Sequence, residues 1–241
     1  MIFTAIRSFS TKIPAFKPVS HIIFDIDGLI LKTEQFYYQA DKTVINRYGK
    51  EYPWELRMKV LGRTEQQTAH MIVEELKLPV SHKQYQTEVK NVVLDLLKNA
   101  PLMPGAERLI RHLYNNKIPM ALATSSGAES VVAKFSKYQD LYKLFNHIVM
   151  ASSDPDIKQG KPAPDVFLAA AKKFADNPDP EKCLVFEDAP NGVLAAVSAG
   201  MQVVMVPEDY VSEEDRKKAT VVLKSLNDFK PGQFKLPPFS D

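Results

Sequence analysis

The chain has 241 residues, 45% of them apolar and 25% charged, with a formal net charge of +2 at pH 7. This length holds one large domain or two modest ones, and the charge balance argues against a general nucleic-acid binder, which carries a marked basic excess. One cysteine, Cys183, excludes an intramolecular disulfide and fits a reducing compartment. No apolar run approaches the ~20 residues of a membrane span.

Residues 1–24 contain no Asp or Glu but do contain Arg7, Lys12 and Lys17. Ile2, Ile6, Phe9 and Ile13 fall near helical spacing, as in a short mitochondrial presequence. The segment is short and poor in arginine. It therefore reads first as a flexible leader over 1–17 of a cytoplasmic protein, with a mitochondrial address as the alternative. Pro14 and Pro18 end it. His21 to Asp25 is then a short, continuously apolar run, the pattern of a buried strand.

A helix-rich stretch follows. Phe36, Tyr37, Ala40, Val44, Ile45 and Tyr48 recur at three and four, with Gly49 as a stop. Trp54 to Val60 reads as a short helix. Thr64 with Gln67, and Ser81 with Gln84, have the form of capping boxes that open two more. Trp54, His70 and Met71 read as packing within this stretch. After Pro101 the pattern alternates. Helices are expected from Pro104-Gly105, over Glu129–Tyr138, Pro164–Phe174, Pro190–Ala199 and Ser212–Ala219. Strands are expected at Ile118–Thr124, His147–Ala151, Lys182–Phe186, Gln202–Val206 and Val221–Leu223. Alternation of this kind predicts an α/β fold, a doubly wound, Rossmann-like parallel sheet with helices on both faces. The core comprises 18–33 and 99–241, and residues 34–98 are an inserted helical cap domain.

In such a sheet the ligand crevice lies at the C-terminal strand ends. The first strand delivers Asp25 and Asp27 there. The Ile118 strand delivers Thr124, Ser125 and Ser126. The loop after Ala151 delivers Lys161, and the Lys182 strand delivers Glu187 and Asp188. Four acids in one crevice need a cation, and hard oxygen ligands suit Mg²⁺. A lysine and hydroxyls beside them suit a phosphoryl group, which Thr124 and the N–H groups after it can hold. One aspartate can then attack phosphorus while its neighbour handles the proton of the leaving oxygen. Gly28 permits a sharp turn beneath the substrate. In the helical insert, Gly62-Arg63 offers a candidate substrate contact.

The set Asp25-x-Asp27-Gly28, Thr124 ending a strand, Lys161-Pro162 and Glu187-Asp188 resembles, in order, the four motifs of the haloacid-dehalogenase (HAD) superfamily. The likeness covers nearly all of the chain after residue 18. HIIFDIDGLI, GKPAPDVFLAAAKKF and CLVFEDAPNGV resemble, more narrowly, the animal phosphatases of pseudouridine 5′-phosphate. The resemblance implies Asp25 as nucleophile and Mg²⁺ ligand. It implies Asp27 as general acid and base, with its backbone carbonyl on the metal. Thr124 and the Ser125 N–H would bind the phosphoryl group, Lys161 would neutralise charge, and Asp188 would complete the metal site. Glu187 would stand in or just behind the ligand set.

One departure is visible. The family reads DGxLxDTE where this chain reads DGLILKTE, so Lys32 replaces an aspartate at the entry to the insert. Phosphatases of other small esters (sugar, glycerol or flavin phosphates), a sugar-phosphate mutase, and a non-catalytic relative remain as alternatives. The expected partner is a small phosphorylated metabolite, with no nucleic acid and no membrane, and the expected state is a monomer.

Overall fold

The computed structural model describes residues 16–60 and 65–239. Residues 1–15 of the expected 1–17 leader, Arg63 and the Thr64 half of its capping box lie outside the described residues. Six parallel strands form one sheet: β1 (His21–Phe24), β2 (Met120–Thr124), β3 (His147–Met150), β4 (Cys183–Glu187), β5 (Gln202–Met205) and β6 (Val221–Val222). Their spatial order is β3-β2-β1-β4-β5-β6. The winding direction reverses at β1, which makes the β1/β4 boundary the switch point where such sheets open a crevice.

Side chains on successive strand residues point to opposite faces. On one face Ile22, Phe24, Leu122, Leu184, Phe186 and Val204 share a core with Leu109, Ile110 and Leu113 of helix α5 (Ala106–Asn115). On the other, Ile23, Ala121, Val149, Val185 and Val203 meet Val166, Phe167 and Ala170 of α8 (Asp165–Lys172) and Val193 and Ala196 of α9 (Pro190–Ser198). Burial on both faces explains why these strands read as unbroken apolar runs. Cys183 is a buried thiol of this second core.

Among the described residues, four helices lie between β1 and α5: α1 (Glu34–Arg47), α2 (Trp54–Val60), α3 (Glu65–Leu76) and α4 (His82–Leu97). The Ser81–Gln84 capping box is formed in both directions at the start of α4. Val44, Ile45, Leu56, Ile72, Val73 and Tyr85 form this block's own core. A second cluster joins Ala40, Val93 and Leu97 to Ala133 of α6 (Ala128–Lys134), so the block also packs on the sheet layer. The chain enters and leaves the block side by side. Leu31 and Leu102 form an antiparallel bridge, with Lys32 N–H to Pro101 O at 2.9 Å and Met103 N–H to Ile30 O at 2.8 Å.

The structure corrects four local expectations. The helix expected over 129–138 stops at Lys134. The chain bends, and α7 (Gln139–Tyr142) follows, which brings Phe135 onto Tyr142 with ring centroids 5.1 Å apart. The helix expected over 212–219 closes earlier, as α10 (Glu213–Arg216). Short 3₁₀ turns at Leu226–Asp228 and Pro231–Phe234 seat Leu226, Phe229 and Phe234 on the sheet. Isolated apolar residues between prolines carry no period from which to foresee them. Trp54 and His70 do not pack inside the block: Trp54 is 60% exposed and His70 is exposed, whereas Met71 does pack against the block's core.

Leu97 is fully buried where the helical block meets α6. Truncating it removes that contact and leaves a cavity. Leu97→Ala should cost about 2–5 kcal/mol, read as a lower urea midpoint.

Candidate active site

Register brings the strand ends level. Phe24 pairs with Leu122 on one side and with Phe186 on the other. Asp25 therefore emerges beside Glu187, and its N–H donates to the Phe186 carbonyl at 3.0 Å. Lys161, whose peptide bond to Pro162 is cis, reaches in from the loop after β3. Its Nζ donates to Asp25 Oδ1 at 2.5 Å and to Glu187 Oε1 at 2.6 Å. The other Glu187 oxygen, Oε2, accepts the backbone N–H groups of Asp188 and Ala189 at 2.9 and 3.0 Å. Gly192 makes room for this carboxylate, because a Cβ there would lie 1.7 Å from Glu187 Oε1.

Asp27 belongs to a second cluster. Thr33 Oγ1 donates to its Oδ1 at 2.8 Å, and Ser126 Oγ donates to its Oδ2 at 2.9 Å. The ammonium of Lys134 lies 2.5 Å from Oδ1 and 2.6 Å from Oδ2, and 2.6 Å from Ser126 Oγ. Lys134 has no exposed surface, and the ring of Tyr37 faces its Nζ at 5.7 Å. A fully buried lysine needs a fixed counter-ion, and Asp27 is that group.

The carboxyls respond in opposite ways. Burial pushes Asp25 up to about 7, opposed by Lys161 and reinforced by Glu187 and Asp27. Burial, then Glu187, Asp25 and Glu34, hold Asp188 well above the ordinary carboxylate value. Asp27 is also desolvated, but Lys134, Thr33 and Ser126 outweigh burial and hold its carboxyl below that value.

The structure thus gathers Asp25, Asp27, Ser126, Lys161, Glu187 and Asp188 at one end of the sheet. Thr124 is fully buried at the end of β2, and its Oγ1 accepts the Ser126 N–H at 3.0 Å. It does not cap α6, whose N-cap is Gly127. Ser125 is exposed beside them. Nor does Asp188 cap α9, which starts from Ala189 and Pro190. Lys32 is exposed at the paired entry segment, and the neighbouring Thr33, not Lys32, takes hold of Asp27.

Nothing in the local pattern singles out Thr33, Tyr37 or Lys134. The only available signal for Lys134 is its place three residues after Val131, on the apolar side of a short helix. Its presence changes the electrostatics: each aspartate of the pair has its own buried lysine. Even so, with every carboxyl ionised four carboxylates face two ammonium groups, an excess of two negative charges that a divalent cation would offset. Asp188 has the fit for it. It is an oxygen donor turned toward Gly28, whose φ is +77° and where a Cβ would stand 2.0 Å from Asp188 Oδ2. Glu187 has both oxygens committed to Lys161 and the backbone, which suits holding that lysine in place more than binding metal directly.

Residues 22–206 match the model of the haloacid dehalogenase-like hydrolases, and the chain belongs to that family. It is 51% identical over 225 residues to a Drosophila melanogaster protein named "probable pseudouridine-5′-phosphatase", covering 93% of this chain and 97% of that one. It is 43% identical over 226 residues to (DL)-glycerol-3-phosphatase 2 of Arabidopsis thaliana, covering 92% of this chain and 94% of that one. The structure of a β-phosphoglucomutase from Clostridium difficile superposes with a TM-score of 0.70 at 27% identity, covering 88% of this chain and 93% of that one.

The raised carboxyls give a pH signature. Between about pH 4 and about pH 7 an unfolded chain has released protons that folded Asp25 and Asp188 retain. In metal-free buffer, stability should therefore fall as pH rises through that window. Mg²⁺ should flatten the fall, since a bound cation favours the ionised carboxylates. Urea titrations at pH 4.5 and 7, with EDTA or with Mg²⁺, measure both slopes.

Proposed function

We propose that this enzyme is a Mg²⁺-dependent phosphomonoesterase of small metabolites and that its substrate is pseudouridine 5′-phosphate. The observation carrying the reaction class is the crevice itself: Asp25 fixed by Lys161, with Asp27 held separately two residues on. The substrate rests on the 51% identity to the Drosophila protein. The 43% identity to the plant glycerol-3-phosphatase favours a glycerol phosphate as the second reading.

Asp25 Oδ attacks phosphorus, the bond to the ester oxygen breaks, and Asp27 gives its proton to that oxygen. An aspartyl-phosphate on Asp25 results. Asp27, now ionised, takes a proton from water, whose oxygen attacks the aspartyl-phosphate and frees phosphate and Asp25. Lys161 offsets charge on Asp25 and the transferring group, and the N–H groups after Thr124 hold phosphoryl oxygens. Asp25, Asp188 and the Asp27 carbonyl would hold Mg²⁺, which supplies charge neutralisation at the phosphoryl oxygens.

Asp27 starts this sequence ionised, with both oxygens engaged. To act as an acid it must take up a proton from solvent and give up at least one of those contacts. An arriving phosphate anion favours this, because a nearby negative charge raises a carboxyl pKa. Residues 34–98, hinged at the Leu31–Leu102 pairing, act as a cap that shuts water out during the first step. Arg63 is retained as a substrate contact from that cap.

Phosphate release from pseudouridine 5′-phosphate, UMP, FMN, glycerol phosphates and hexose phosphates, with Mg²⁺, tests the assignment. Pseudouridine 5′-phosphate should give the highest kcat/KM, and Asp25→Asn should abolish turnover with the fold intact. A preference for glycerol 3-phosphate would replace the substrate and keep the mechanism; full activity of Asp25→Asn would remove the mechanism.

Lys134 has its own test. Without its ammonium the pKa of Asp27 rises, so the acid form persists to higher pH. Single-turnover release of the leaving alcohol by Lys134→Met should show its alkaline limb displaced upward, with Lys134→Arg closer to wild type. An unmoved limb would mean that Lys134 does not set the protonation of Asp27.

A further inference from the structure

A second cluster of ligand-type side chains lies in the helical block and shares no residue with the crevice. His70 and Glu74 sit four apart on α3, and so share one face of it. His82 is the first residue of α4, held there by the Ser81–Gln84 capping box. The turn between these helices brings the three together, with a ligand atom from each within 4.8 Å of the others. Glu74 and His82 also help line a surface groove of about 460 Å³.

The hydrogen bonding fixes how His82 is used. Its Nε2 lies 3.1 Å from Glu74 Oε1, and a carboxylate only accepts. His82 Nε2 therefore carries a hydrogen, and in the neutral imidazole Nδ1 presents a lone pair. That Nδ1 lies 3.4 Å from Nδ1 of His70, with the rings 4.4 Å apart and at 75°. This separation exceeds the roughly 2.7–3.2 Å of an ordinary hydrogen bond from nitrogen. It equals the edge, about 3.3–3.4 Å, of a tetrahedron whose centre lies about 2.0–2.1 Å from each imidazole nitrogen. A carboxylate on the far nitrogen of a ligating imidazole is also the usual way in which a metal-bound histidine is oriented.

We propose that His70 and His82 form a surface site for a borderline divalent ion of the Zn²⁺ or Cu²⁺ type, bound through both Nδ1 atoms. Glu74 orients His82 through Nε2–H, and solvent completes the shell. Imidazole nitrogen selects these ions over Mg²⁺, which takes oxygen. The protein thus separates two kinds of cation by donor chemistry. Binding here ties the middle of α3 to the start of α4 across the intervening turn.

The full-length protein with millimolar Mg²⁺, which keeps the oxygen site filled, is titrated with Zn²⁺ by calorimetry and with Cu²⁺ by electron paramagnetic resonance. Wild type should bind one equivalent of Zn²⁺, gain a higher Tm on doing so, and show two nitrogen ligands on Cu²⁺. His70→Gln and His82→Gln should each lose the calorimetric signal and the Tm shift, while Mg²⁺-dependent phosphate release and circular dichroism stay as in wild type. Glu74→Gln should weaken binding about tenfold or more. Absence of Zn²⁺ binding by wild type overturns the proposal. So does equal binding by the double His70→Gln/His82→Gln variant, and the His70–His82 contact would then be a shared proton only.

Discussion

Four carboxylates and two lysines in a crevice largely shut off from water set the terms for this molecule. Asp25, Asp27 and Asp188 are buried or nearly so, Glu187 is fully enclosed, and none could stay charged alone at that depth. Lys161 serves Asp25 and Glu187, and Lys134 serves Asp27. The division gives two neighbouring aspartates opposite tendencies: Asp25 is inclined to hold a proton until a cation arrives, and Asp27 is inclined to release one. The proposed chemistry needs the reverse, an ionised Asp25 and a protonated Asp27, so the arriving cation and phosphate have to invert the resting order.

The sheet makes this concentration of charge possible. Parallel strands end together at one edge, so residues distant in sequence become neighbours with little side-chain reach. The small residues absorb the crowding. Gly28 lets the chain pass under Asp188, and Gly192 lets α9 pass against Glu187. Polar positions at strand ends interrupt otherwise continuous apolar packing, and the two cores on either face support them.

Much of this was legible beforehand because parallel strands advertise themselves as apolar runs and their polar ends mark the crevice. The parallel sheet and the convergence of Asp25, Ser126, Lys161, Glu187 and Asp188 follow from that logic, whereas the strand order is read only from the folded chain. Lys134 escapes it. A buried lysine looks like a surface lysine in one dimension, and only the burial of α6 against Tyr37 and Asp27 reveals which it is. The C-terminal 3₁₀ turns escape for another reason: Phe229 and Phe234 are anchored singly, by tertiary contact and without local periodicity. Glu187 was legible in place but not in use, since its commitment to Lys161 and two backbone N–H groups exists only in the folded chain.

The paired segments around Leu31 and Leu102 carry a consequence for how such a molecule diversifies. Antiparallel partners lie about 4.5–5.5 Å apart, so the helical block is spliced in between two neighbouring points. Removing or exchanging it would leave the sheet's strand order, and the two strand-end aspartates, where they are. Its own core of Val44, Ile45, Ile72 and Tyr85 lets it mature under separate constraints, with the Leu97–Ala133 contact as a checkpoint on docking. If the block serves as the proposed cap, a change confined to it can alter what the crevice admits while the buried charges beneath keep their arrangement.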